Sequence, residues 1–318
     1  MTPPLALFTL GGSRDYAGRV GKELDTPLSP VEERDFEDGE HKIRPSVPVE
    51  GADAYVIHAL HGDVRHSVND KLCRLLFLIA GLKDHGAARV TAVIPYLCYA
   101  RKDRRTQPQD PVTSRYVAML FEALGTDRVM AVQVHNEAAF DNSFRIPARH
   151  IETTGLFADH FALLAQREPL VAISPDAGGT KRVERFRRAL EQKSGRSIEN
   201  GFVEKYRSGG VVSGGTLIGE VRGRTAVILD DLIATGGTIL RAASACRAAG
   251  ASRVIAAATH GLFSPEAKPL FASDLLDEII VTDSVPFAVG DGTPPQRLTV
   301  IPTAPLVATA IGQAHAGA

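Results

Sequence analysis

The sequence predicts an α/β protein of two similar domains, each a mostly parallel β-sheet flanked by helices. Short apolar or β-branched runs alternate with longer segments in which apolar residues recur at helical spacing. The 318 residues exceed what one hydrophobic core usually organises, which favours two domains. Strand–helix alternation of this kind is typical of parallel sheets covered on both faces.

The predicted strands leave room for a helix between most neighbours. They are Leu5 to Leu10, Ala54 to Leu60, Val90 to Pro95, Val129 to Val134, Leu170 to Ser174, Ala226 to Leu229 and Val254 to Ala258. The predicted helices are Asn69 to Lys83, Ser114 to Leu124 and Thr238 to Ala249. Ligands of open α/β sheets bind beyond the carboxyl ends of strands, so residues that follow these runs are the functional candidates.

The domain boundary is predicted near residue 150, dividing the chain into 1–150 and 151–318. There the first series of strands ends, and Thr153 or Thr154 could cap a new helix. The last helix of the chain could pack back on the N-terminal domain.

The composition argues against several classes of protein. Lysine and arginine number 36 against 37 aspartate and glutamate, so the charge shows no bias toward nucleic acid or a membrane surface. Cys73, Cys98 and Cys246 lie far apart with no CxxC pair, and two of them sit within apolar segments, which argues against structural zinc and a disulfide framework. No segment approaches the roughly 20 apolar residues of a membrane span, and the N-terminus lacks a basic lead. We therefore predict a cytoplasmic protein.

The strongest local signal is VILDDLIATGGTI, Val227–Ile239, where an apolar strand ends in two acids and small residues lead into a helix. Backbone N–H groups of Thr235, Gly236, Gly237 and Thr238 can converge on a phosphate at the helix N-terminus. Asp230 and Asp231 would then face ribose hydroxyls or a magnesium ion. The alternative is a strand–turn–helix corner with a surface pair of acids.

This segment resembles the phosphoribosyl-diphosphate-binding loop shared by type I phosphoribosyltransferases and ribose-phosphate diphosphokinases. The rest of the chain resembles the diphosphokinases from nearly end to end, in RDFEDGE, TAVIPYLCYARKDRR, DPVTSRYVAMLFEALGTDRV, VQVHNEAAFDNSF, SPDAGGTKR, ATHGLFSP and VTDSVP. A transferase would need only the second half. The resemblance implies two type I phosphoribosyltransferase-like domains, an ATP-side and oligomerisation domain followed by a ribose 5-phosphate domain.

The resemblance also assigns nucleotide-binding residues in the first half. Phe36, Asp38 and Glu40 match the family's adenine-recognition loop, in which an aromatic face stacks on the base and carboxylates accept its amine. By themselves they would be interpreted as an acidic surface turn.

A second match, Arg101, Lys102 and Asp103 with Arg104, would place charged groups on the nucleotide and its phosphates. From composition alone this is a solvated charge run, which remains the interpretation of Arg105.

His135 and Asp176 each follow a predicted strand, and the resemblance implies that they hold the Mg²⁺ of Mg-ATP, with His135 at the nucleotide. A single histidine is more often a hydrogen-bonded structural residue. Lys205 and Arg207 in VEKYRSGG match the basic residues of the family's catalytic loop. Their alternative is a hairpin with two exposed cations.

The implied reaction transfers diphosphate from ATP to the 1-hydroxyl of ribose 5-phosphate, giving phosphoribosyl diphosphate and AMP. An adenine loop that serves a neighbouring subunit implies a homo-oligomer, a hexamer or a dimer. Two other readings stay open, a phosphoribosyltransferase or other phosphosugar enzyme, and a catalytically weak regulatory paralogue that binds nucleotide.

The chain departs from the family pattern at two places. Ala234 stands where the ribose-phosphate loop usually carries an acid, which removes one polar contact. Pro48 and Glu50 stand where many members have a serine and an arginine of an allosteric phosphate site. A glutamate repels anions, so weak or absent activation by inorganic phosphate is predicted.

Overall fold

The computed structural model of the chain describes residues 3–208, 211–287 and 295–317, and it describes their side chains except at 205–214. The chain divides into two compact units, one formed by Met1–Ile151 with Pro302–Ala318 and the other by Glu152–Ile301. The C-terminal helix therefore belongs to the first unit.

The first unit is built on five parallel strands in the order β1-β4-β5-β6-β7. These strands are β1 Leu5–Thr9, β4 Asp53–Ile57, β5 Arg89–Ile94, β6 Arg128–Val132 and β7 Ala148–Ile151. An antiparallel hairpin, β2 Val31–Asp35 and β3 His41–Pro45, forms a separate small sheet. The helices are α1 Arg14–Glu23, α2 Val68–Asp84, α3 Thr113–Ala123, α4 Glu137–Ser143 and α9 Ala304–Ala316.

Helices cover both faces of this sheet, as the alternation of side chains along its strands requires. Leu7 and Tyr55 point to the face covered by α1 and α9, whereas Phe8 and Val56 pack in the cluster that includes α2 and α3. The C-terminal helix is also held by polar contacts, because Tyr16 Oη lies 2.8 Å from the Oγ1 of Thr303.

The second unit is built on seven strands in the order β10-β9-β8-β11-β12-β13-β14, parallel except at the β9–β10 hairpin. They are β8 Leu170–Ser174, β9 Glu199–Ser208, β10 Val211–Ile218, β11 Thr225–Ile233, β12 Arg253–Gly261, β13 Glu278–Thr282 and β14 Leu298–Ile301. The helices are α5 Thr154–Arg167, α6 Thr180–Ser194, α7 Gly237–Ala248 and α8 Lys268–Ala272.

Alternate residues of these strands likewise serve two cores. Val227 and Leu229 pack with α5 and α6, and Ala226 and Ile228 pack with α7 and α8. The predicted α/β class with mostly parallel, helix-flanked sheets is confirmed. Among the described residues, no helix is long and apolar enough to cross a membrane.

The structure corrects some local expectations. Thr153 occupies the N-cap position of α5, but its hydroxyl makes no capping bond and lies 2.6 Å from the Oγ1 of Thr259. Strand β11 continues through Ile233, beyond the predicted end at Leu229, because its backbone keeps pairing with β12. Several strands bounded by weak apolar patterns were not predicted at all, among them the β2–β3 hairpin and β7.

Candidate functional site

A tight turn joins β11 to α7 and forms the predicted phosphate loop. The carbonyl of Ile233 accepts bonds from the N–H groups of Leu262 (2.9 Å) and Phe263 (3.1 Å), and that of Ala234 accepts from Ser264 (3.1 Å). The segment after β12 therefore anchors the loop from one side, and within the loop the Gly237 N–H donates to the Oγ1 of Thr235 at 3.5 Å.

Gly236 sets the direction in which the loop enters the helix. Its φ is +78°, and a Cβ there would lie 2.9 Å from the Cβ of Leu270, so a side chain is excluded both by conformation and by space. Helix α7 begins at the next residue, and its first amide groups, at Gly237 and Thr238, have no intrahelical acceptor. Such a turn suits an anion at the positive end of the helix dipole.

Asp230 and Asp231 lie inside β11, two residues before the turn, and are tied to an arginine that sequence analysis did not assign. Arg182, in the first turn of α6, places Nη1 3.0 Å from the Oδ1 of Asp230 and Nη2 3.2 Å from the Oδ1 of Asp231. Burial and the neighbouring carboxylate of Asp231 raise the pKa of Asp230 to about 8, although Arg182 opposes the shift. The pair is therefore poised to accept hydrogen bonds or a cation that relieves its charge.

This raised pKa predicts a pH-dependent stability. Because the folded protein binds the Asp230 proton more tightly than the unfolded chain does, the contribution is full below about pH 4 and is lost as pH rises toward 8. Asp230→Asn abolishes this loss. The difference in unfolding free energy, variant minus wild type, should therefore increase from pH 5 to pH 8 by on the order of 2 kcal/mol.

Urea unfolding at both pH values, in a chelator and without ligand, measures that difference. Asp274→Asn is the control, because it makes the same substitution at a fully exposed side chain. If the free energies of unfolding of wild type and Asp230→Asn changed equally with pH, ionisation of Asp230 would not destabilise the folded protein, and the prediction would be wrong.

Asp176 follows β8 in a turn that fixes its carboxylate. Its Oδ1 accepts the N–H groups of Gly178 (3.0 Å) and Gly179 (3.2 Å), and Ser174 Oγ donates to its carbonyl oxygen at 2.5 Å. A Cβ on Gly179 would lie 2.6 Å from Ser174 Oγ, so the glycine is required for this turn. The turn orients one carboxylate at the ligand-binding edge of the second sheet.

In the first unit, the predicted cationic segment forms a folded loop after β5. Tyr99 has a φ of +58° and its carbonyl accepts the N–H of Lys102 at 3.0 Å, while its hydroxyl donates to Asn69 of α2. Asp110 closes the loop by accepting two backbone N–H groups and the Thr106 hydroxyl. Arg101 and Lys102 are exposed.

The structure brings this loop to the segment after β6. Asn136 Nδ2 donates to the Oδ2 of Asp103 at 2.7 Å, and the neighbouring His135 is exposed. Asp103 and His135, 32 positions apart in the sequence, therefore belong to one polar surface at the carboxyl edge of the first sheet. Arg105, expected only as a solvated charge, donates to the carbonyl of Asp110 at 3.2 Å.

The predicted adenine loop is the turn between β2 and β3. Phe36 N–H donates to the carbonyl of Glu40 at 2.9 Å, and Glu40 N–H donates to the Oδ1 of Asp38 at 3.0 Å. The Phe36 side chain is 36% exposed, with the Arg34 guanidinium 5.0 Å from its ring centroid. The turn thus presents an aromatic face and carboxylates to the surroundings.

A buried cluster beside these loops was missed by sequence analysis. Lys71 of α2 is 1% exposed, and its Nζ lies 2.6 Å from the Oδ2 of Asp63 and 3.3 Å from the Nε2 of His61. Burial and the Lys71 charge lower the pKa of His61 to about 4 and that of His58 to about 3, so both imidazoles are neutral at pH 7. No sequence pattern distinguishes Lys71 from the surface lysines of other helices.

The predicted catalytic pair lies in the β9–β10 hairpin. Lys205 and Arg207 are in β9, where Lys205 is paired with Gly215 and Arg207 with Val212. Their side chains lie outside the described part of the chain.

Comparison with known proteins gives matches over the whole chain. Residues 5–125 match the family model described as the N-terminal domain of ribose phosphate pyrophosphokinase, and residues 212–318 match a phosphoribosyl synthetase-associated domain. The ribose-phosphate pyrophosphokinase of Mycobacterium leprae is 35% identical over 310 residues, 96% of this chain and 91% of the relative. That of Nostoc sp. is 34% identical over 311 residues, 98% and 91%.

A crystal structure of phosphoribosylpyrophosphate synthetase from Mycobacterium smegmatis superposes with a TM-score of 0.90 at 32% identity, covering 99% of this chain and all of that one. Sequence and fold thus agree along both units. The chain is an enzyme that belongs to the ribose-phosphate pyrophosphokinase family.

Proposed function

We propose that the enzyme transfers diphosphate from Mg-ATP to the 1-hydroxyl of ribose 5-phosphate, giving phosphoribosyl diphosphate and AMP. The observation that carries the proposal is the turn at Gly236, which begins α7 a few residues after the two acids in β11. A phosphate and a pair of ribose hydroxyls are the groups that such a site recognises.

In this proposal the chain positions the acceptor through complementary groups. Amide groups of Thr235, Gly236, Gly237 and Thr238 bind the 5-phosphate, and the acid pair in β11 accepts hydrogen bonds from the ribose hydroxyls. Ala234 contributes only its carbonyl, already bonded to Ser264. Burial disfavours the charged form of Asp230 and raises its pKa, whereas hydrogen bonds donated by the ribose hydroxyls favour that form. Binding of the sugar should therefore lower the pKa of Asp230.

The nucleotide is assigned to the first unit. Arg101, Lys102 and Asp103 would hold it together with His135, and Phe36, Asp38 and Glu40 of a neighbouring subunit would recognise the adenine. The exposed aromatic face of Phe36 supports a homo-oligomer with this loop at an interface. Sedimentation velocity distinguishes a hexamer from a dimer, and a monomer would exclude the shared site.

The donor chemistry fits Mg²⁺ brought by the nucleotide. No cluster of three or more histidine, cysteine, aspartate or glutamate side chains suited to an ion occurs in the described part of the chain. Mg²⁺ usually takes one or two protein ligands and completes its shell with phosphate oxygens and water. The oriented carboxylate of Asp176 would supply an oxygen ligand, and His135 is assigned to the Mg-ATP as well. When bound, the ion would neutralise charge on the phosphates.

The chemical step is a displacement at phosphorus. The 1-hydroxyl oxygen attacks the β-phosphorus in line, the bond to the α-phosphate oxygen breaks, AMP leaves and the hydroxyl proton is released. Phosphoryl transfer depends mostly on positioning and electrostatic stabilisation. In this proposal Lys205 and Arg207 stabilise the negative charge that develops on the transferred diphosphate in the transition state.

Chromatography of the products tests the reaction. Incubation with ATP, Mg²⁺ and ribose 5-phosphate should yield equal amounts of AMP and phosphoribosyl diphosphate, and omission of ribose 5-phosphate should abolish AMP. Consumption of phosphoribosyl diphosphate with a nucleobase would instead identify a transferase. Binding of ATP without any product would indicate a regulatory paralogue.

Inorganic phosphate should activate the enzyme weakly or not at all. Glu50 is exposed at the end of the segment after β3, where its carboxylate repels an anion. Initial rates at fixed Mg-ATP should therefore change by less than about twofold as phosphate increases, since an anion held weakly beside Glu50 cannot shift a conformational equilibrium far. A severalfold rise with phosphate would refute the prediction, and Glu50→Arg is the variant expected to gain such a response.

A further inference from the structure

Arg241 is the fifth residue of α7, just after its first turn, and is not part of the motif that identified the phosphate loop. Its Nη2 donates to the Oγ1 of Thr238 at 3.1 Å. Its Nη1 lies 3.5 Å from the position that a Cβ on Gly237 would occupy. The guanidinium is therefore folded back over the residues whose amide groups form the proposed phosphate site, as the tilt of helical side chains toward the N-terminus allows.

The charge is at the unfavourable end of this helix. A cation near a helix N-terminus opposes the macrodipole unless an anion accompanies it. Several arginines of this unit have carboxylate partners, for example Arg187 with Glu184 and Arg247 with Asp277. Within the described residues Arg241 contacts a neutral hydroxyl and no carboxylate. A bound anion would satisfy both the helix end and the guanidinium.

We infer that Arg241 binds the terminal phosphate of the sugar substrate and makes the site selective for a dianionic phosphate ester. The inference rests on the proposed function and deepens it. A guanidinium can form two parallel hydrogen bonds to phosphate oxygens. It also supplies a positive charge, which the neutral amide groups of the loop cannot supply. Ala234 adds no carboxylate to the loop that would compete with the phosphate for Arg241.

The test compares Arg241→Met with Arg241→Lys. Methionine keeps an apolar stem of similar length and removes the charge, so the KM for ribose 5-phosphate should rise about 10- to 100-fold, the value of one or two charge-assisted hydrogen bonds. The KM for ATP and kcat should stay within about threefold, since the contact is made equally in ground and transition states. Arg241→Lys should recover part of the affinity, because lysine restores the positive charge but cannot form the two parallel hydrogen bonds of a guanidinium.

Arg247→Met is the matched control on the same helix. Arg247 pairs with Asp277 at the other end of α7, so its loss should lower thermal stability without raising the KM for ribose 5-phosphate. Arg241→Met should leave the melting temperature unchanged or raise it, because a cation leaves the helix N-terminus. A lower melting temperature with an unchanged KM would show a structural role and overturn the inference.

Calorimetric titration with ribose 5-phosphate alone separates this inference from the proposed reaction. If the wild type forms no phosphoribosyl diphosphate yet binds ribose 5-phosphate, and Arg241→Met weakens that binding, the reaction is rejected and the phosphate contact stands. Equal binding by wild type and Arg241→Met rejects the contact. A wild type that neither forms phosphoribosyl diphosphate nor binds ribose 5-phosphate rejects both.

Discussion

Lys205→Ala should lower kcat by about 10²- to 10³-fold and leave the KM values of ATP and ribose 5-phosphate within a few-fold of wild type. A cation that meets charge only as the diphosphate is transferred stabilises the transition state and not the bound substrates, and removal of one such group commonly has an effect of about this size. Steady-state rates of AMP formation, with each substrate varied in turn, measure it.

Lys193→Ala is the control for a general loss of positive charge. Lys193 lies at the end of α6 and pairs with Asp159 on the surface, so its removal should leave both kcat and KM unchanged. Lys205→Arg keeps the charge with different geometry and should be intermediate. Retention of full kcat in Lys205→Ala would exclude Lys205 from the catalytic machinery.

Lys71→Met should lower the free energy of unfolding by about 1.5 to 3 kcal/mol, because it removes a buried cation from Asp63, whose side chain is partly exposed. Burial opposes ionisation of Asp63, but hydrogen bonds from Lys71 and from the backbone N–H groups of His66 and Arg65 outweigh it and lower its pKa. Without Lys71, the carboxylate keeps a charge that the surroundings no longer balance. Thermal and urea unfolding both report the loss.

The pH dependence of Lys71→Met gives a sharper signature. His61 and Asp63 both contact Nζ of Lys71, and loss of that cation removes one of the two causes that lower the pKa of His61. Protonated His61 can then partly replace the lysine, so the destabilisation should be smaller at pH 5 than at pH 8. Wild type, with both imidazoles of the cluster neutral above about pH 4, should lack this response.

Two variants serve as controls for that result. Asp63→Asn combined with Lys71→Met should recover much of the lost stability, because the amide oxygen can still accept the two backbone N–H bonds. Lys83 lies on the same helix, is more exposed than Lys71 and pairs with Asp127, so Lys83→Met should cost about 1 kcal/mol or less. Equal losses for Lys71→Met and Lys83→Met would contradict the buried-pair interpretation.

Local sequence patterns determined the fold class and the position of most candidate groups. Apolar runs of strand length define β1, β4, β5, β6, β8, β11 and β12, since each run must be buried on both faces of its sheet. Residues after those runs then lie at the ligand-binding edge by geometry alone. For this reason the turn at Gly236, the carboxylate of Asp176 and the loop of Lys102 could be located from the sequence, although their chemical roles stay predictions.

Only the tertiary structure decided which charges meet and which are buried. Arg182 reaches the acid pair across 48 residues because β8 and β11 are neighbours in the sheet, and no local spacing specifies that order. Lys71 is buried because the segment after β4 folds over the first turn of α2, and Arg241 bends over a helix end that its own sequence position does not reveal. Periodicity encodes which face of an element is apolar, whereas the partner of a charge depends on packing between segments distant in the sequence.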